Sequence, residues 1–229
     1  MVNRIRRARV KARREIDDGA SALDLDEFEA SLIWIFGSGR SGSTWLMRMM
    51  RRQRDTVQVN EPGIGEHLAD LRTRASPGPA IEFFRYNDLR ADTPDYFFGD
   101  EYADVWKPLL RELILRRLHA HVSRLAAQRE IENPRVVIKE PNGSQAADII
   151  MSVLPRSGMV LLVRDGRDVV DSALASALGG SWGNEFGSEI DDSQRIPYVR
   201  HRASLWLHTM EVAQTAYDCL LYTSDAADE

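Results

Sequence analysis

The chain has 229 residues, 43% of them hydrophobic and 28% charged, with a formal net charge of −5. That is enough for one sizeable core, and the acidic balance argues against a general nucleic-acid binder. No apolar run reaches the roughly 18 residues of a membrane-spanning helix, and a lone cysteine, Cys219, excludes an intramolecular disulfide framework. Only Lys11, Lys107 and Lys139 are lysines, and the other 27 cations are arginine. This bias reads as the coding habit of a GC-rich genome, and it makes any lysine in a pocket conspicuous.

Residues 1–30 read as a polar, basic N-terminal extension that lacks the apolar stretch of a secretory signal. Leu32-Ile33-Trp34-Ile35-Phe36 is an apolar run bounded by glycine, the pattern of a strand buried in a parallel sheet. Gly37-Ser38-Gly39-Arg40-Ser41-Gly42-Ser43-Thr44 follows, and a helix is expected from about Ser43 to Arg54. Glycines let a ligand approach the main chain, and the first turn of a helix offers unpaired N–H groups to an anion. The spacing of Gly37 and Gly42 matches a Walker-A phosphate loop, GxxxxGK[ST]. Ser43, however, stands where the lysine belongs, and the nearest cation is Arg40.

Thr56 to Val59 reads as a second strand, reached by a right-handed crossover and ending at Asn60-Glu61-Pro62-Gly63. Residues 62–103, rich in Gly, Pro, Asp and aromatics, form an irregular insertion of the kind used as lids or substrate loops. Asp104 to Glu132 is expected as one long helix with Leu109, Leu110, Leu113, Ile114, Leu118, Val122 and Leu125 on its apolar face. His119 and His121 are two apart on it and do not share a face, which argues against a metal pair. Arg135 to Lys139 is the third strand. Ser144 is expected to cap a helix over 145–154. Met159 to Val163 is the fourth strand, whose apolarity on both faces suits a central position. Helices from about Arg167 to Leu178 and from Pro197 past Met210 flank a glycine-rich loop, 179–195. Strands alternating with helices predict an α/β fold, a doubly wound parallel sheet in three α/β/α layers of the P-loop nucleotide-binding type, with one domain over 31–218.

Ligands bind such sheets at the carboxyl ends of the strands. Four strand ends carry polar groups there: the Gly37–Thr44 loop, Glu61, Lys139 and Arg164-Asp165. Arg164 is a bidentate anion donor, and Ser172, eight residues on, brings a hydroxyl to the same anion. Two anion sites on one sheet suit a ligand with phosphates at both ends of a nucleoside.

Gly39-Arg40-Ser41-Gly42-Ser43-Thr44-Trp45 resembles the 5′-phosphosulfate loop of the sulfotransferase family, whose cytosolic members carry lysine in the place of Arg40. Val163-Arg164-Asp165-Gly166-Arg167-Asp168-Val169-Val170-Asp171-Ser172 resembles the family's 3′-phosphate motif. The likeness is strongest to the tyrosylprotein-sulfotransferase-like branch, where arginine replaces the loop lysine, glutamate follows the second strand and Lys-Asp-Pro ends the third. Glu61 and Lys139-Glu140-Pro141 stand at those places here. The resemblance implies the donor 3′-phosphoadenosine-5′-phosphosulfate (PAPS) and metal-independent, in-line transfer of its sulfonyl group to a hydroxyl or amine on a small-molecule, carbohydrate or peptide acceptor. It implies that residues Gly39, Arg40, Ser41, Gly42, Ser43 and Thr44 hold the 5′-phosphate and that Arg164 and Ser172 hold the 3′-phosphate. Arg40 and Lys139 would stabilise the leaving group, with Lys139 also a candidate proton donor. Glu61 would act as general base, on condition that burial makes its carboxylate more basic. His67 is a rival base. Trp45 would stack on adenine or, alternatively, anchor its helix in the core.

The competing readings are a P-loop ATP-dependent kinase or NTPase, disfavoured by the missing Walker lysine, and an inactive nucleotide-binding fragment. The ending from Cys219 to Glu229 reads like an in-frame translation of a transposase-type sequencing adapter, which would put the natural sequence's last residue near Asp218 and leave a C-terminally truncated domain. With neither signal nor anchor in this sequence, the expected compartment is a bacterial-type cytoplasm.

Overall fold

A computed structural model describes residues 24–68, 73–74, 82–83, 98–178 and 190–225. Most of the insertion expected at 62–103 and of the loop expected at 179–195 lies outside the described residues, as does all but the last part of the extension.

The chain enters the core earlier than its polar N-terminus suggests. Helix α1 (Leu25–Ala30) is capped by Asp24, whose carboxylate accepts from the N–H groups of Asp26 and Glu27. Leu25 and Phe28 pack against the main core. Glu29 is fully buried, and its two carboxylate oxygens accept from Arg111 Nε and from the Arg156 N–H, each at 2.7 Å.

Four parallel strands follow, each close to its expected place: β1 (Leu32–Gly37), β2 (Thr56–Asn60), β5 (Arg135–Lys139) and β6 (Gly158–Leu162). They order as β2-β5-β1-β6. Two further strands of two residues each, β3 (Thr73–Arg74) and β4 (Glu82–Phe83), form a separate antiparallel pair. Alternation along β1 and β5 splits the core in two, since successive side chains of a strand face opposite ways. Leu32, Trp34, Phe36, Val136 and Ile138 face one layer of helices: α4 (Ala103–Ala127), α5 (Ala147–Val153) and α7 (Arg195–Asp225). Ile35 and Val137 face the other way, onto Leu46, Met47 and Met50 of helix α2 (Ser43–Met50). The result is the three-layer α/β/α sandwich expected.

Three expectations fail in detail. β6 is an edge strand among the described residues, pairing with β1 alone. Its apolarity on both faces reflects packing against the cores on either side of the sheet, through Met159 and Leu161 on one face and Val160 on the other, and not strands on both edges. Helix α4 ends at Ala127, and Glu130 and Asn133 take positive φ in the turns beyond it. Its buried stripe runs through Trp106, Ile114, Leu115, Leu118, Val122 and Ala126, while Leu109 and Leu113 face outward. Leucines all round a helix satisfy more than one phase of the 3.6-residue period, so the period alone does not choose the buried face. Finally, Ser144 caps nothing. It lies in a 3-10 segment, Pro141–Ala146, that precedes α5, and its hydroxyl is spent elsewhere.

Candidate active site

The carboxyl ends of β1, β2 and β5 and the loop after β6 bring the candidate residues to one end of the sheet. The phosphate loop leaves β1 at Gly37, whose φ is +149°. A Cβ there would collide with the Leu162 carbonyl of β6, so this turn requires glycine. The hydroxyl of Ser144, wholly buried, accepts from the Gly37 N–H and donates to the Gly37 carbonyl, both at 2.8 Å. The loop is therefore pinned at its root by the segment after β5. Gly42, φ +96°, turns the chain into α2. The Trp45 and Leu46 N–H groups bond back to the Gly42 carbonyl, which leaves the N–H groups of Ser43 and Thr44 at the helix mouth with no place in the helical ladder. Ser41 and Ser43 are buried in the loop wall, whereas Trp45 is 68% exposed. The alternative of a core anchor for Trp45 is thereby removed.

Two clusters flank the loop. On the β6 side, Arg40 has a positive φ of 69°, and its Nε donates to Ser172 Oγ at 3.0 Å. The Arg164 guanidinium donates to the Arg40 carbonyl at 3.0 Å and lies 3.7 Å from Asp168. Ser172 sits on α6 (Gly166–Ala177), which Asp165 caps by accepting from the Arg167 N–H. Hydrogen bonds from Arg167 hold the Asp165 carboxyl down at about 2. On the β5 side, Lys139 is buried with its ammonium 2.5 Å from Glu61 Oε1 and 3.1 Å from Thr44 Oγ1. Glu61, at φ +47°, donates its N–H to the Lys139 carbonyl at 2.8 Å. The structure thus joins Arg40, Arg164 and Ser172 into one cluster and Lys139, Glu61 and Thr44 into another, with the loop between them.

The condition attached to Glu61 is not met by burial: its side chain is 40% exposed and sits against a cation. His67 falls on α3 (Ile64–Leu68), but its side chain lies outside the described residues. Two buried residues with a direct hold on the site, Ser144 and Glu140, were expected only as a helix cap and as part of the Lys139-Glu140-Pro141 likeness, with no role at the site. Glu140 Oε2 accepts from the Gly63 N–H at 3.2 Å. Proximity to Lys139 is the signal in the sequence that points either of them toward the site.

Beside the loop lies a cavity of about 240 Å³, walled by Ser38, Gly39, Asn142, Gln145, His201 and Arg202 among others. A larger groove, about 1470 Å³, opens at the opposite end of the sheet against Phe28, Arg54, His119 and Arg135. Volume favours the groove, but the anion donors converge at the strand carboxyl ends, and chemistry decides the assignment. Among the described residues, no group of three or more His, Cys, Asp or Glu gathers as a metal site, and no helix is long and apolar enough to cross a membrane.

No curated protein matches the chain. A family model described as the sulfotransferase family matches residues 33–222, from β1 almost to the last described turn of α7. A match over most of the sequence, on a parallel sheet with a glycine-rich anion loop, settles the classification: the chain belongs to the sulfotransferase family and is a transferase by class.

Proposed function

We propose that the chain moves a sulfonyl group from PAPS to a hydroxyl or amine acceptor, in line and without a metal. One observation carries this reading: Lys139, the sole lysine of the site, bridges the mouth of the phosphate-loop helix at Thr44 and the carboxylate of Glu61. A cation placed between an anion cradle and a carboxylate suits a reaction that loses a phosphate leaving group on one side and a proton on the other. The residues fit the donor. Its 5′-phosphate matches the loop between the two clusters, and its 3′-phosphate matches Arg164 and Ser172 of the β6-side cluster.

PAPS supplies an activated sulfonyl group on a phosphate leaving group. Main-chain N–H groups of residues 39–44 with the Ser43 and Thr44 hydroxyls hold the 5′-phosphate. Arg164 and Ser172 hold the 3′-phosphate, and exposed Trp45 offers its face to adenine. Arg40 and Lys139 neutralise charge on the departing oxygen as its bond to sulfur breaks, the electrostatic part of the catalysis. Glu61 takes the acceptor's proton as the new oxygen–sulfur or nitrogen–sulfur bond forms, a role supported by its place beside Lys139 and the loop and not by burial. Glu61, Arg40 and Lys139-Glu140-Pro141 also support the finer likeness to the tyrosylprotein-type branch.

Labelled donor tested against a phenol, an aryl amine, a hexose and a tyrosine peptide tests the reaction and names the acceptor class. Glu61→Gln is expected to lose about 10²-fold or more in turnover while still being thermally stabilised by adenosine 3′,5′-bisphosphate. Near-normal turnover would remove Glu61 from the mechanism. Stronger stabilisation by ATP with Mg²⁺ than by the bisphosphate would overturn the donor assignment.

A further inference from the structure

We propose that Glu140 is a positioning residue for Glu61, acting through the main chain of the Glu61-Pro62-Gly63 loop; this rests on the reading of Glu61 as the base. Glu140 is 1% exposed at the tip of β5. Its N–H donates to the Ile35 carbonyl of β1 at 3.1 Å, and its carbonyl accepts from the Gly143 N–H at 3.0 Å. Its backbone is therefore rigid with the central sheet. Its carboxylate reaches out of this anchored position to take the Gly63 N–H.

Glu61 needs such a hold. Both Glu61 (φ +47°) and Gly63 (φ +75°) are left-handed, and for glutamate that conformation persists only where the surroundings impose it. Two bonds impose it here. The Glu61 N–H is tied to the Lys139 carbonyl, and two residues on the Gly63 N–H is tied to the Glu140 side chain. Consecutive residues of one strand tip thus play complementary parts. Lys139 receives the Glu61 carboxylate, and Glu140 fixes the backbone that carries it. An apolar side chain of similar volume would fill the buried space without desolvating a carboxylate. What the carboxylate adds is the acceptor for Gly63. The same residue adjoins the phosphate loop's anchor, because Ser144, whose hydroxyl pins Gly37, stands with that oxygen 3.4 Å from the Glu140 carbonyl.

The test compares Glu140→Leu, which removes the acceptor, with Glu140→Gln, which keeps an oxygen for Gly63. Turnover is measured with the best acceptor of the panel above, and bisphosphate affinity is measured separately. Glu140→Leu is expected to lower kcat about 10- to 100-fold, the cost of misplacing a catalytic group, with the donor KM and bisphosphate affinity changed by less than about twofold. Glu140→Gln recovers most of the loss. In a Glu61→Gln background, Glu140→Leu is expected to cost nothing more, since the residue it positions is already gone. Wild-type kcat in Glu140→Leu, or an equal loss in the Glu61→Gln background, overturns the proposal. Normal turnover of Glu61→Gln itself defeats the base reading, whereas an inactive Glu61→Gln beside a fully active Glu140→Leu defeats positioning alone. Should Glu140→Leu not fold, Glu140→Asp takes its place. Amide exchange at Gly63 then supplies a readout independent of activity. Protection in the wild-type chain that drops in Glu140→Asp is expected, and an unprotected wild-type Gly63 amide refutes the contact.

Discussion

At the residue scale, the site turns on two cations held by hydroxyls and carboxylates from distant parts of the chain. Buried Lys139 cannot be removed without changing what faces Glu61 and Thr44 together. Lys139→Met is expected to cut turnover about 10²- to 10³-fold, the usual loss of a charge-stabilising group. The N–H groups of the loop still hold phosphate, so bisphosphate binding is expected to fall by less than about tenfold; a loss confined to binding would contradict the leaving-group role. Ser172 serves both the Arg40 guanidinium and, as proposed, the 3′-phosphate. Ser172→Ala is expected to weaken adenosine 3′,5′-bisphosphate about tenfold and to leave AMP, which lacks that phosphate, unchanged in a calorimetric titration. The glycine spacing made the loop legible, and the eight-residue step from Arg164 to Ser172 made the second cluster legible. The pairing of Arg40 with Ser172 was not, because it joins residues 132 apart that only the β1–β6 pairing brings together.

At the element scale, β1 and β6 were legible because five apolar residues between turn signals leave few alternatives, and β2 and β5 because short β-branched runs lead into turn signals. The sheet order and the buried face of α4 were not, since both depend on what packs where. Ser144 shows the limit most clearly. Locally it is a good cap, but its partner is Gly37, 107 residues away. The contact that seats α3 is of the same long-range kind. A Cβ on Gly65 would sit 2.5 Å from Gly143 Cα, and a Cβ on Gly143 would sit 2.5 Å from Glu140 Cγ. Backbone meets backbone there, directly below the Glu61 loop. Gly65→Ala is expected to destabilise the fold by about 1–3 kcal/mol through overpacking and to lower turnover as well, because α3 follows Gly63 immediately. Leu115→Ala, in the middle of α4 and fully buried, is expected to cost about 2–5 kcal/mol without a specific effect on turnover in the fraction that remains folded. Denaturant melts paired with turnover measurements separate the two, and equal turnover losses at equal stability would deny α3 its link to the site.

At the scale of the whole molecule, composition announced a single core and an acidic balance but not where the charged groups are buried. Histidines lie at its seams. His119 of α4 meets the Phe28 ring of α1 edge-on, with centroids 5.0 Å apart, and burial holds its pKa below the ordinary 6.5. His121 is lowered by burial and then by Arg124 and Arg117, and His201 of α7 by burial and then by Arg202. Each binds a proton less readily folded than unfolded, so over this range the unfolded chain takes up more protons and stability rises with pH. Their contribution is complete above about 6.5 and is lost as pH falls through their lowered folded values. Asp165 also has a folded value below its ordinary one, but its window is lower: its stabilisation persists above the ordinary 3.8 and disappears as pH falls toward 2. Thermal unfolding between about pH 7.5 and 5 therefore isolates the histidines from Asp165. The melting temperature of the wild-type chain is expected to fall across that interval, and His119→Gln combined with His201→Gln is expected to flatten the fall. A wild-type profile that is level from 7.5 to 5, or one that the double substitution leaves as steep as before, would mean that these rings are hydrated in the native state and that the α1–α4 and α7 seams are more open than their contacts indicate.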